Sequence, residues 1–394
     1  MADLLPPLSL YIHTPWCVRK CPYCDFNSHE PGTHGFTPRD LPEDAYLTAL
    51  LQDLDGDLAL AAGREIQTIF IGGGTPSLLS PRFYKRLLNE ISIRLPFARH
   101  IEITLEANPG TTEQGRFNGY REAGINRLSL GTQSFQAAQL EALGRIHGAD
   151  EAIKAVAQAR SAGFDNINID LMHGLPGQTP ALALADINQA LALAPDHLSW
   201  YQLTLEPNTA FHSQPPVLPE EEALWDIQDS GHQLLEQAGF KRYEISAYAT
   251  AGHQSLHNLN YWQFGDYLGI GAGAHGKLSH IDQQGEWRIE RRWKTRQPDA
   301  YLKRSNDVRG FMAGKQLIHF NELPLEFAMN ALRLTEGVAM ATWEANTGQS
   351  SVMLQERLQT AEQKGLLMEM PEKLRASPQG LLFLNELLAL INDD

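Results

Sequence analysis

The chain has 394 residues, 47 acidic against 32 basic, a formal charge of −15 and a pI near 5.4. Such a balance makes a poor general binder of nucleic-acid phosphate, so no nucleic-acid partner is expected. No apolar run reaches the about 18 residues of a membrane span. The start, MADLLPPLSL, lacks a secretory leader's basic n-region and apolar core, so a reducing, cytoplasmic setting is expected.

LSLYIH (8–13) reads as a first buried strand. CVRKCPYC (17–24) follows it and holds all three cysteines of the chain. Then come a helix over 44–62, the strand TIFIGGG (68–74), a helix over 80–94 and the strands IEITLEAN (101–108) and RLSLGTQS (127–134). A helix over 149–161, INIDLMHG (167–174), a helix over 181–193 and HLSWYQLTLEP (197–207) complete the run. Strand and helix alternating in this way is βαβ organisation, closing toward a barrel or a doubly wound sheet. His13, the 72–75 glycine run, Glu106, Asn108, Gln133, Ser134, Asp170, Gln202 and Thr204 all fall near strand C-termini, where α/β barrels assemble their sites.

Beyond residue 240 the pattern changes. RYEISAYA (242–249) reads as one more strand, and HNLNYWQFGDYLGIGAGAHG (257–276) is rich in glycine and aromatics. RIERRWKTR (288–296) is read as a solvated surface segment or a domain-joining strand rather than an RNA patch. From about 299 the chain turns helical and charged, with LEFAMNALRL, LQERLQTAEQKG and GLLFLNELLALIN as helices and LLMEMPEKLRAS as a short hairpin. A small, separate C-terminal domain of winged-helix-like form is expected.

Three cysteines are an odd number, which argues against a disulfide framework. C-x3-C-x2-C admits three readings. A zinc ion would need a fourth ligand such as His13 or His29, because no second cysteine pair exists. A Cys21/Cys24 redox pair leaves Cys17 unexplained. A 4Fe–4S cluster on three thiolates leaves one iron open for a ligand. FIGGGTPSLL (70–79) permits close backbone approach, but lacks the G-K-[ST] of a phosphate loop.

Cys17, Cys21 and Cys24, with the aromatic Tyr23 before the last, resemble the signature of radical S-adenosylmethionine (SAM) proteins. YIHTPWCVRKCPYCDF, IGGGTPS, LEANPG, NRLSLGTQSF, LGRIH, NIDLMHGLPGQT and LSWYQLTLEPNT are similar to the coproporphyrinogen dehydrogenase-like group over most of the chain. The resemblance implies an α/β fold, a partial (β/α)6 TIM-like barrel with extension (1–285), and a smaller, mainly helical HemN-like C-terminal domain (299–394). It implies a 4Fe–4S cluster on the three cysteines and an electron donor to it. It further implies SAM bound by Tyr11, Tyr23, Gly73, Gly74, Thr75, Glu106, Gln133, Arg145 and Asp170.

Two departures bear on function. The porphyrinogen-oxidising enzymes carry another cysteine where this chain has Phe26, and a longer arm before the cluster. Both features match the sister family of haem chaperones, HemW, as does HNLNYW (257–262). The implied role is to bind haem through His257, Asn258, Tyr261 and Trp262 and to deliver it to acceptor haemoproteins, including respiratory enzymes at the membrane. His173, His253 and His275 are further candidate ligands. The alternatives are oxygen-independent coproporphyrinogen III dehydrogenation by a SAM-derived radical, and a zinc-stabilised α/β scaffold. SAM cleavage and SAM binding alone are both compatible with these residues.

Overall fold

The computed structural model describes residues 5–35, 37, 40–110, 115–369 and 372–392. Six parallel strands form its centre: β1 (Leu8–Thr14), β2 (Ile66–Gly73), β3 (Phe97–Ala107), β4 (Arg127–Gln133), β5 (Ile167–His173) and β6 (His197–Gln202). Their alternation decides what goes where. Leu10, Ile12, Ile69, Ile71, Ile103, Leu105, Leu128, Leu130, Ile169 and Leu198 are buried in one apolar core together with outer-helix residues such as Leu50, Leu87, Val156 and Ile187. The intervening positions point to the other face. There Phe70, Glu106, Ser129, Gln133, Asn168, Asp170, Ser199 and Tyr201 line an inner cavity.

The expected strands and helices occur in the expected order, with differences of detail. β6 stops at Gln202, leaving Thr204 in a loop. RYEISAYA is a hairpin rather than one strand, β7 (Lys241–Glu244) and β8 (Ala247–Ala249). Its turn is held by Ser246 N–H on Glu244 Oε1 (3.0 Å) and the Arg242 guanidinium on the Ile245 carbonyl (2.7 Å). A strand also appears over Met312–Ile318, where helix was expected. β9 (Asp266–Ile270) pairs parallel to β1, and β10 (His275–Ile281), β11 (Trp287–Lys294) and β12 (Met312–Ile318) extend the sheet antiparallel. The order β12-β11-β10-β9-β1-β2-β3-β4-β5-β6-β8-β7 leaves β12 and β7 as edges, so the barrel is open. The sheet thus runs on across 285–299, where the sequence suggested a domain border.

The Leu256–Trp262 helix plugs the barrel floor. Ser255 caps it, and its first amides, on Leu256 and His257, donate to the Glu102 carboxylate of β3 at 3.1 Å each. The C-terminal helices Leu323–Ala331, Met340–Thr347, Ser351–Gln363 and Leu384–Asn392 share a second core. Phe327, Trp343, Leu354 and Ile391 pack there with Tyr243, Phe264 and Ile318 of the main body. GLLFLNELLALIN breaks at Phe383 (φ −112°, ψ 42°) into two helices. In LLMEMPEKLRAS, Met368 N–H reaches the Arg375 carbonyl at 3.0 Å as a hairpin requires; residues 370 and 371 of its turn lie outside the described residues. Among the described residues, no helix is long and apolar enough to cross a membrane.

Candidate functional site

The loop after β1 is tied down by backbone. Cys17 N–H donates to the His29 carbonyl at 3.0 Å and Cys24 N–H to the Cys21 carbonyl at 3.1 Å. The end of β2 docks onto it, with Gly74 N–H on the Thr14 carbonyl and Thr75 N–H on the Trp16 carbonyl, both at 2.7 Å. Thr75 Oγ1 donates to Cys17 Sγ at 3.2 Å. The glycines serve this docking. A Cβ on Gly73 (φ 114°) would lie 2.6 Å from the His13 ring, and one on Gly74 would overlap the Trp16 carbonyl.

Cys17, Cys21 and Cys24 face a cavity of about 570 Å³ also lined by Tyr23, Gly73, Gly74, Thr75, Glu106, Gln133, Arg145 and Asp170. Eleven of the twelve residues expected for cluster and SAM therefore share one space. The twelfth, Tyr11, lines a neighbouring cavity that shares Gly73 and Glu106 with the first.

Asn108, expected only as a polar residue at a strand end, and Tyr201, not expected at all, complete the wall. Asn108 donates to Thr75 Oγ1 (3.1 Å) and accepts from Arg145 (3.0 Å), whose guanidinium also holds the Gly131 carbonyl. Tyr201 donates to Gln133 Oε1 at 2.8 Å. The alternation Ser129, Gly131, Gln133 along β4 was the available signal. Asn108 and Tyr201 join the site through contacts far apart in sequence.

Electrostatically the cavity is unusual. Burial, reinforced by the neighbouring Asp170 carboxylate, pushes Glu106 up to about 8, against the opposing pull of the Gly73 amide (3.1 Å). Burial also raises Asp170, opposed by its hydrogen bonds from Asn168 (2.8 Å) and Ser129 (3.0 Å). The stability Glu106 contributes is full below the ordinary carboxylate range and is lost as pH rises through about 8. Glu106→Gln is expected to flatten that decline by a few kcal/mol at most. Melting of the SAM-free protein at about pH 6 and about pH 9 measures it. An identical pH dependence in wild type and variant would refute the assignment.

The two candidate fourth ligands of a Cys3His zinc site are engaged elsewhere. His13 is bonded to the Tyr11 hydroxyl and the Asn27 carbonyl (2.9 Å each), and His29 Nε2 to Asn27 Oδ1 (3.1 Å). Among the described residues, no three His, Cys, Asp or Glu side chains converge as a single ion requires. Three free thiols around one cavity, at the end of a backbone-pinned loop, suit a larger cluster that holds its thiolates apart. Burial raises the Cys17 and Cys24 thiols, so a positively charged iron core would compensate their ionisation.

The four residues expected to hold haem do not line one cavity. His257 is buried at 2% exposure, with Nδ1 on Thr68 Oγ1 (2.7 Å) and its ring between Phe70 and Tyr261. Asn258 reaches the cluster-side cavity and Tyr261 the neighbouring one. Trp262 lies under the Arg333 guanidinium, 4.3 Å from its ring, in the C-terminal core. The helix sets His257 and Tyr261 on one face, rings 5.1 Å apart, and turns Asn258 and Trp262 away from it.

A (β/α)6 barrel with three cysteines after its first strand and a glycine run after its second defines a radical SAM protein. The profile of the Radical SAM superfamily matches residues 11–187, and that of the HemN C-terminal domain matches 319–383. Heme chaperone HemW of Escherichia coli is 51% identical over 391 residues, covering 98% of each chain. HemW of Haemophilus influenzae is 50% identical over 390 residues, again covering 98% of each. Bovine mitochondrial radical S-adenosyl methionine domain-containing protein 1 is 34% identical, covering 96% of this chain and 86% of the relative. The chain belongs to the HemW family. In fold it matches coproporphyrinogen III oxidase (HemN) from Escherichia coli, with a TM-score of 0.79 at 22% identity over 98% of this chain and 90% of that one.

Proposed function

We propose that this chain is a haem chaperone that holds a 4Fe–4S cluster and SAM, binds haem and passes it to acceptor haemoproteins. The observation that carries the reading is the full-length, half-identical match to HemW proteins. When bound, the cluster supplies an open iron for SAM and an electron from a donor protein. Cys17, Cys21 and Cys24 would ligate it. Gly73, Gly74 and Thr75 would shape the shelf for SAM, with Glu106, Gln133, Arg145 and Asp170 supplying its polar walls and Tyr23 an aromatic one. Arg145 is oriented through Asn108. The setting is cytoplasmic, peripheral to the membrane where respiratory haem enzymes mature.

The test is one anaerobic reconstitution. About four irons and four sulfides per chain are expected. Haem should bind, and it should move to an apo-haemoprotein when one is added. Stoichiometric zinc in a colourless folded protein would overturn the cluster assignment. Multiple turnovers of coproporphyrinogen III to protoporphyrinogen with SAM and a low-potential reductant would establish the dehydrogenase in place of the chaperone.

A further inference from the structure

The cavity beside the cluster chamber has a volume of about 500 Å³, within the ~300–1,000 Å³ of small-molecule sites. Tyr11, Tyr261, Tyr267 and Phe26 give it aromatic walls, and His275 and Arg296 stand on its lining. Haem needs flat aromatic surface, an imidazole for its iron and cations for its propionates. Of the two lining histidines, His13 has both ring nitrogens engaged. His275 is exposed on β10, its ring stacked near Trp293 (centroids 6.4 Å apart) and making no side-chain hydrogen bond among the described residues. Arg296, exposed on the same lining, has no carboxylate partner among the described residues, so its guanidinium is available to a propionate, while the carboxylates of Asp25 and Glu106 stand elsewhere on the wall. His257, by contrast, is buried at the floor, and its Nε2 has no partner among the described residues.

We propose that haem is carried in this second cavity, with His275 as the axial ligand and Arg296 receiving a propionate. The proposal rests on the haem-chaperone reading above. The cavity touches the cluster chamber through Asp25, Phe26, Gly73 and Glu106, so cargo and SAM would sit side by side. Phe26, 56% exposed, would cover an edge of the macrocycle.

The experiment titrates cluster-loaded protein with haem and reads the Soret band as a difference spectrum. Wild type should show a red-shifted band. His275→Ala should lose that shift and recover it on adding free imidazole, while His257→Gln should keep it. Arg296→Gln should weaken haem binding by roughly ten- to a hundredfold, the worth of a charge-assisted bond. The same variant should bind haem dimethyl ester as wild type does, since the ester has no carboxylate. Wild type that binds no haem would bring down the chaperone reading itself. Wild type that binds haem, with unchanged spectrum and affinity in His275→Ala and Arg296→Gln, would refute this seat alone. A loss of SAM stoichiometry in those variants, with haem unaffected, would refute it equally and give the cavity to a second SAM.

Discussion

Gly74→Val is expected to strip the protein of its iron as completely as replacing Cys17, Cys21 and Cys24 with Ala. The thiols would all still be present. A Cβ at Gly74 overlaps the Trp16 carbonyl oxygen and lies 2.8 Å from its carbon, and this is rigid backbone rather than a side chain that can swing away. The same carbonyl accepts from Thr75 N–H, and the neighbouring Cys17 accepts from Thr75 Oγ1. Pushing β2's end away therefore breaks the docking that positions the first thiol, and SAM binding falls with the cluster. The outer core of Leu10, Ile69 and Ile71 is untouched, so the barrel should melt close to wild type. Gly148→Ala, with open space around it, is the neutral control. Iron, sulfide and SAM counts check this; Gly74→Val with a full cluster and lowered SAM affinity would mean the glycine serves the ligand directly.

Much of this was legible in the sequence because it is local. A cysteine motif, a glycine run and a β-branched strand each carry their information within about ten residues, and βαβ order follows from alternation. What escaped depends on contacts across the chain. HNLNYW reads as a pocket of its own, yet it is a floor plug because Glu102 and Thr68, on two strands, claim its first turn. The basic stretch RIERRWKTR reads as a solvated segment or a joining strand; it is a strand, β11, but not a solvated one, since Lys294 is buried between Asp53 and Asp57 and Arg292 reaches Asp57 at 3.2 Å. Those aspartates look like the polar face of the first helix until β11 is placed against it. β12, MAGKQLI, hides as a strand because it is an edge whose residues are mostly exposed or half-buried, with Lys315 pairing Glu290 of β11.

Asp266→Ala is expected to cost about 3–5 kcal/mol, the range for removing one partner of a buried ion pair. Asp266 is fully buried at the start of β9, and its carboxylate accepts from Arg64 (2.7 Å), Lys277 (3.0 Å), Ser279 N–H (2.8 Å) and Ser279 Oγ (2.9 Å). Removing it leaves two cations in the interior with no anion between them. Arg64 keeps carbonyl partners at Pro6 (2.9 Å), Leu60 (2.9 Å) and Ala61 (3.0 Å), but among the described residues Lys277 keeps only the face of Phe264, 4.2 Å away. The loss should concentrate on β9 and β10, which join the extension to β1 and carry His275. Haem binding should therefore weaken at denaturant concentrations where the cluster persists. Adding Lys277→Met to Asp266→Ala should recover part of the stability, since it removes the stranded charge. Urea unfolding gives the comparison, with Asp307→Ala, which removes surface pairs with Arg304 and Arg309, as the variant of small effect. A loss at Asp266 no greater than at Asp307 would show that water reaches the carboxylate and that the extension is held by its sheet pairing alone.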